Sequence, residues 1–352
     1  MNGGNMMSAA RIVEVSFQTP PLVDMAEFGG LFAADPGGDA VAQVIANSAI
    51  ATKGMAVNAF VEDPRSWSTG RRMDRSLVEA RALGARTISR ALADAGLHAE
   101  DVGLLATVTT TTHSAPGLDG LAAEVGMRGS VQIVSLGPMG CYAALPALST
   151  CANWVAVHNR PAVLLAVDLF SPHLQPPPYD KEAAVILTLF GDGAAAVVLV
   201  PGEPGLPGAD IVDVEQLTIP RYADDLQVHA GDLGMRIRLS PSMPDVVSSA
   251  VGEPAKELLA RNGISWDEIA WWAVHPGGRR ILDRVEEALA LPAASMAASR
   301  AAMRDWGNTA APAVLGVLER LTSAAPLEPG RHGVALAFGP GATIWALLLR
   351  GA

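Results

Sequence analysis

Two cysteines in 352 residues, Cys141 and Cys151, are too few for a disulfide framework, so a reducing cytoplasm is the simplest home for this chain. Either cysteine reads equally well as a small buried hydrophobe. Long apolar runs are missing too. The most hydrophobic stretch, 334–349, is broken by Gly339, Pro340 and Gly341; it falls short of the roughly 18 uninterrupted apolar residues of a membrane span and reads as two buried strands joined by a turn. Residues 1–10 show no basic segment followed by an apolar one, so no secretory signal is expected. Positive charge is scarce, with 25 Lys and Arg against 36 Asp and Glu and a net charge of −11, which argues against nucleic acid as a partner. No histidine or cysteine spacing suits a metal site, and none is expected.

What is present is a large apolar fraction, 50% of residues, ample for extensive cores, arranged in a diverged tandem repeat. Gly140, Cys141, Tyr142, Ala143 and Ala144 are echoed by Gly307, Asn308, Thr309, Ala310 and Ala311 at an offset of 167 (308 − 141). Gly96 and Leu97 ahead of an apolar run match Gly263 and Ile264 at the same offset, and the run 190–194 is echoed by 338–342. Units this long are not solenoid repeats. Strands expected at 102–108, 131–136, 163–167, 194–200 and 269–274 alternate with helices expected at 76–95, 141–157, 246–262 and 281–289. That alternation implies an α/β fold with mixed, mainly parallel sheets covered by helices. The Gly- and Pro-rich segment 201–207 is the natural linker, dividing the chain into halves 1–205 and 206–352.

The repeat places a thiol and a carboxamide at equivalent helix starts. Cys141 is a nucleophile candidate there, because unpaired N–H groups and the helix dipole favour a thiolate. Asn308 by itself is equally an N-cap, and serves chemistry only if another group caps its helix. His275 ends the strand 269–274 and precedes Pro276, Gly277 and Gly278, and ligands of α/β sheets bind beyond strand carboxyl ends; Gly277 and Gly278 allow close approach to the backbone. Two arginine clusters could meet an anionic ligand: Arg71, Arg72 and Arg75, which also read as a solvated helix face, and the pair Arg279 and Arg280 beside His275.

These segments, together with Phe190-Gly191-Asp192-Gly193-Ala194, His275-Pro276-Gly277-Gly278 and Phe338-Gly339-Pro340-Gly341, make the chain resemble the type III polyketide synthases, the chalcone synthase-like branch of the thiolase superfamily. The resemblance covers about residues 75–352 and implies a duplicated, layered αβαβα thiolase-like fold. It further implies an acyltransferase acting on acyl-CoA and malonyl-CoA without a separate cofactor, and a homodimer. By it, Cys141 carries the growing acyl chain, His275 holds the thiolate as an ion pair, and His275 with Asn308 stabilises an enolate oxygen. Phe190 corresponds to a gatekeeper, Ile237 to the place of a second gatekeeper phenylalanine, and Val228 to a cavity-floor glycine; Gly277, Gly339 and Pro340 join the substrate-binding set. Asp168 matches a family glutamate without an assigned role. The family's N-terminal CoA-binding basic residues do not align clearly, and Lys53, Arg279 and Arg280 are the candidates to replace them. Few extensions are expected, ending in a pyrone or small phenolic ring. The alternatives are a single-round ketoacyl synthase-like or acyl transferase enzyme, and a non-catalytic acyl-CoA-binding partner.

Overall fold

The computed structural model describes residues 10–352; most of the segment on which the absence of a secretory signal was read lies outside them. Nine strands form one sheet: β1 Ala10–Gln18, β2 Leu104–Val108, β3 Gln132–Leu136, β4 Ala162–Asp168, β5 Gly193–Pro201, β6 Ala209–Thr218, β7 Ile269–Val274, β8 His332–Gly339 and β9 Thr343–Gly351. Their order is β7-β8-β9-β6-β1-β5-β4-β2-β3. The helices that matter here are α1 Thr69–Asp94, α2 Ala144–His158, α3 Lys181–Leu189, α4 Gly252–Arg261, α5 Arg279–Leu289 and α6 Ala311–Ala324.

The layering follows from strands that are apolar on both faces. Alternate residues point to opposite sides of a strand, so Leu104, Ala106, Leu164 and Ala166 join one core while Leu105, Val163, Leu165 and Val167 join another with α1. In the second half, Ala273, Ala335, Ala337 and Leu347 join the first of these cores; Trp272, Val274, Val334 and Leu348 face a third, which includes Leu258 of α4 and Leu282 of α5. Residues of α2 and α6 sit in the core shared by both halves. The result is the expected αβαβα sandwich, with the two half-sheets continuous through a short β1–β6 ladder, Arg11 opposite Asp210 and Ile12 opposite Ala209. There the Arg11 guanidinium lies 2.8 Å from the Asp210 carboxylate, and both residues are buried.

The sheet is mixed, as expected, but β2–β3, β2–β4 and β7–β8 are its parallel ladders and the others are antiparallel. Strand–helix alternation predicts parallel pairing; it fails at the β8–β9 hairpin, where no helix intervenes, and at β4–β5, which is antiparallel although α3 lies between its strands. The repeat survives in detail. The turns Ala99–Asp101 and Trp266–Glu268 both carry a capping box, and α2 and α6 begin at matching repeat positions, Ala144 and Ala311. Strands β1 and β6, and the hairpin Leu226–Gly231 with Gly234–Leu239, went unread as strands, because their charged residues interrupt the apolar pattern.

Candidate active site

Cys141 is not the first residue of its helix. It sits in a single tight turn, Gly140–Tyr142, that leads into α2. The turn depends on Gly140, whose φ is +77° and whose missing Cβ would lie 2.4 Å from Cδ of Pro340. A Cβ on Gly339 would fall 3.2 Å from the Cys141 nitrogen and 3.0 Å from the Tyr142 ring. Gly339 and Pro340, expected to bind substrate, therefore pack as the seat of the nucleophile's turn. Gly277 is similarly enclosed: an added Cβ would meet Phe338 at 3.0 Å and the His275 ring at 3.2 Å. None of these three lines the cavity described below.

Asn308 comes from the other half. Its nitrogen donates to the Leu189 carbonyl (2.9 Å) and its carbonyl accepts from Gly191 (3.1 Å), so residues 189–191 and Asn308 bridge like adjacent strands around Phe190. Its side-chain Oδ1 accepts the Ala310 N–H at 2.8 Å. That bond fixes which end of the carboxamide is which and leaves Nδ2 as the donor turned toward the Cys141 thiol, where Asn308 favours the thiolate. The carboxamide thus serves Ala310 with one atom while presenting the other. The Ala311 N–H at the start of α6 is taken by Asp168 Oδ2 at 3.2 Å.

His275 continues from β7, its nitrogen bonded to Leu336 O at 2.8 Å. The ring stands edge-on to Phe338 with centroids 5.4 Å apart, and its buried Nδ1 has no partner among the described residues. His275 and Cys141 thus flank the same segment, Phe338–Gly339. Burial weighs on both members of the expected ion pair. Burial, followed by the charge of Asp168, pushes the Cys141 thiol up to about 12, against the lowering effects of Asn308 and the local backbone. Burial alone takes His275 down to about 3. Burial thus works on both groups toward their neutral forms, against the turn's dipole.

A cavity of about 350 Å³ opens beside this cluster. Phe190, Ile237, Phe170 and Ile186 belong both to its wall and to the apolar group around Cys141, so they stand between cavity and thiol. Phe170 stacks on Phe190 at 4.4 Å; sequence reading missed Phe170 and Ile186. Val228 and Ile237 face each other across the hairpin, and both line the cavity.

Of the expected CoA-binding residues, Lys53 is buried, with Nζ donating to Leu187 O at 2.7 Å and Phe190 O at 3.2 Å, over the Phe28 ring. It braces the Phe190 segment and lines the cavity, its Nζ held by these carbonyls and away from the outer surface. Arg279 and Arg280 are exposed at the start of α5, Arg279 3.9 Å from Asp283. Arg72 is fully buried on backbone carbonyls including Pro172 and Leu174, while Arg71 and Arg75 pair with Glu62.

A duplicated thiolase-like sandwich with a cysteine and an asparagine brought together from its two halves defines a class of acyl-transferring enzymes. Within it, the chalcone and stilbene synthase N-terminal domain model matches residues 57–204 and the C-terminal domain model residues 210–352. The 1,3,6,8-tetrahydroxynaphthalene synthase of Streptomyces peucetius subsp. caesius is 37% identical over 276 residues, covering 76% of this chain and 72% of that one. The alpha-pyrone synthesis polyketide synthase-like Pks18 of Mycobacterium tuberculosis is 32% identical over 330 residues, covering 89% and 83%. The crystal structure of PKS-I from the brown alga Ectocarpus siliculosus superposes with a TM-score of 0.93 at 26% identity, covering 99% of this chain and 100% of that one. The chain belongs to the chalcone and stilbene synthase family, the type III polyketide synthases, and is an acyltransferase. Among the described residues no helix is long and apolar enough to cross a membrane.

Proposed function

We propose that this chain extends an acyl group held on Cys141 with malonyl-CoA units and releases a short polyketide that closes to a pyrone or small phenolic ring. The observation that carries the reading is the Asn308 carboxamide, locked by Ala310 so that Nδ2 faces the thiol. The Cys141 sulfur attacks the thioester carbonyl of an acyl-CoA while neutral His275 takes the thiol proton; the CoA thiolate leaves and takes its proton from solvent, so that His275 keeps the N–H it donates in the next step and returns that proton to the Cys141 thiolate at the end. A neutral imidazole is the form a base requires. Malonyl-CoA then loses carbon dioxide, and the electron pair passes to an enolate whose oxygen accepts from His275 and from Asn308 Nδ2. The enolate carbon attacks the Cys141 thioester and expels the thiolate, leaving a CoA thioester two carbons longer. Each preorganised donor is worth about 3–4 kcal/mol to such a transition state. The thioesters are substrates, and no separate cofactor enters these steps.

Relatives named for a naphthalene, an alpha-pyrone and a 3,5-dihydroxyphenylacetyl-CoA product support a small cyclised product, as does the presence of the branched Val228 side chain in the cavity lining. Incubation with an acyl-CoA panel and labelled malonyl-CoA, read by intact-protein and product mass, tests the reading. No adduct on Cys141 overturns it, and an adduct without malonyl-dependent product favours the single-round transferase. Arg279 and Arg280 supply the CoA phosphates with charge in this scheme; an unchanged KM for malonyl-CoA after reversing both charges removes them from it.

The same reading makes the chain a cytoplasmic homodimer. Ile133 and Val134 are 42% and 37% exposed on β3, a sheet edge with β2 on one side only, and exposed apolar edges are normally covered. Sedimentation of the wild type as a monomer, or as a dimer unaffected by Val134→Lys, counts against this.

A further inference from the structure

Asp168 ends β4 fully buried, and no cation pairs with it among the described residues. Its Oδ1 accepts the N–H groups of Thr110 at 2.6 Å and Thr111 at 3.1 Å, with the Thr111 hydroxyl at 3.3 Å. Its Oδ2 crosses to the other half and accepts the Ala311 N–H at 3.2 Å. Helix starts leave N–H groups without partners, normally met by a side chain just ahead of the helix. Here that place is held by Ala310, which has nothing to offer, and Asn308 Oδ1 is spent on the Ala310 N–H. Ala310 itself is held at φ 55° and ψ −122°, a conformation an alanine keeps only when its surroundings over-determine it.

We propose that Asp168 is a positioning residue: by capping α6 from the opposite half, it holds the Asn308–Ala311 turn so that the Asn308 amide stays aimed at Cys141. The proposal rests on the reading of Asn308 as an enolate donor. Asp168 is not an activator of the nucleophile, since its charge raises the thiol. Its contribution is geometric. Burial raises Asp168 to about 7, while the N–H groups of Thr110, Ala311 and Thr111 pull against that rise; its ionised form holds main-chain N–H groups more tightly than a neutral acceptor and joins the loop after β2 to the turn that carries Asn308.

Asp168→Asn keeps an acceptor for Thr110 and Thr111 and turns an NH2 against the Ala311 N–H. Malonyl-CoA decarboxylation is measured for the wild type, Asp168→Asn, Asn308→Ala and the double variant. The expected result is a kcat loss of about 100-fold for Asp168→Asn, comparable with removal of one donor, at an unchanged KM. In the Asn308→Ala background the same change should cost less than about threefold, since its route of action is gone. Asp168→Glu, which retains the charge and both acceptors, should recover at least about tenfold of the loss; Asp168→Ser, which gives up the second acceptor, replaces Asp168→Asn in the cycle if the latter does not fold. Acylation of Cys141, followed by intact mass, confirms that each variant is folded. Independent, multiplicative losses overturn the positioning role while leaving the proposed function standing. Decarboxylation unaffected by Asn308→Ala overturns the role of Asn308 and this proposal with it.

Discussion

Asn308→Ala separates two contributions that the structure assigns to opposite ends of one carboxamide. Oδ1 holds the Ala310 N–H at 2.8 Å in a buried turn; losing it leaves that donor without a partner, a cost of about 1–3 kcal/mol in folding stability. Nδ2 faces the thiol, and Asn308 is only 3% exposed, so water cannot replace the donor. Its loss should cost about 3–4 kcal/mol of transition-state stabilisation, a fall of about 10²–10³ in decarboxylation. Urea unfolding reads the first quantity; chromatographic detection of acetyl-CoA released from malonyl-CoA reads the second. Asn308→Asp keeps the acceptor for Ala310 but puts an anionic oxygen where the enolate forms, so it should decarboxylate no faster than the alanine variant. A decarboxylation rate within tenfold of wild type for Asn308→Ala, in protein whose Cys141 still acylates, would refute the reasoning; so would an aspartate variant more active than alanine.

Gly140→Ala demands a left-handed alanine, about 1–2 kcal/mol on its own, with a Cβ 2.4 Å from a proline ring that cannot rotate away. A urea midpoint and a Cys141 acylation rate equal to wild type would contradict this. Val228→Gly, opening the cavity opposite Ile237, should lengthen the main product by at least one two-carbon unit in product mass spectra; an unchanged product removes Val228 from chain-length control. His275 titrates in the fold near 3 against 6.5 in the unfolded chain, so the unfolded state binds the extra proton between those values. Its contribution is intact above pH 6.5 and lost as pH falls toward 3. From pH 6.5 to 4.5 the wild type should therefore lose about 2–3 kcal/mol more stability than His275→Gln, and parallel urea stabilities would show that His275 is not buried as a neutral ring.

Much of the fold was legible because duplication and doubly apolar strands leave strong local traces. The offset between Cys141 and Asn308 located the two turns that lead into α2 and α6, three residues ahead of the helices themselves, and runs such as Leu104–Val108 and Ile269–Val274 announced buried strands. His275 was found from its place at a strand end. Where charge interrupts the pattern the trace fades: β1 carries Arg11, and β6 carries Asp210, Asp213 and Glu215, whose partners lie far along the chain. Arg11 meets Asp210, and Arg261 meets Asp213 and Glu215.

The sequence by itself determined the residue types at the reacting centre, because a nucleophile, an amide donor and an imidazole must be present as such, and their motifs lie within a few contiguous residues. Only the tertiary structure decided how those groups behave. Burial, a property of the assembled chain, pushes the Cys141 thiol up and His275 down. Close packing turned Gly277, Gly339 and Pro340 into seats for other residues, and drew Lys53 inward to brace Phe190. Whether Asn308 caps a helix or serves the reaction depends on Asp168, 140 positions earlier (308 − 168). No local pattern encodes a bond between two halves that meet only when folded.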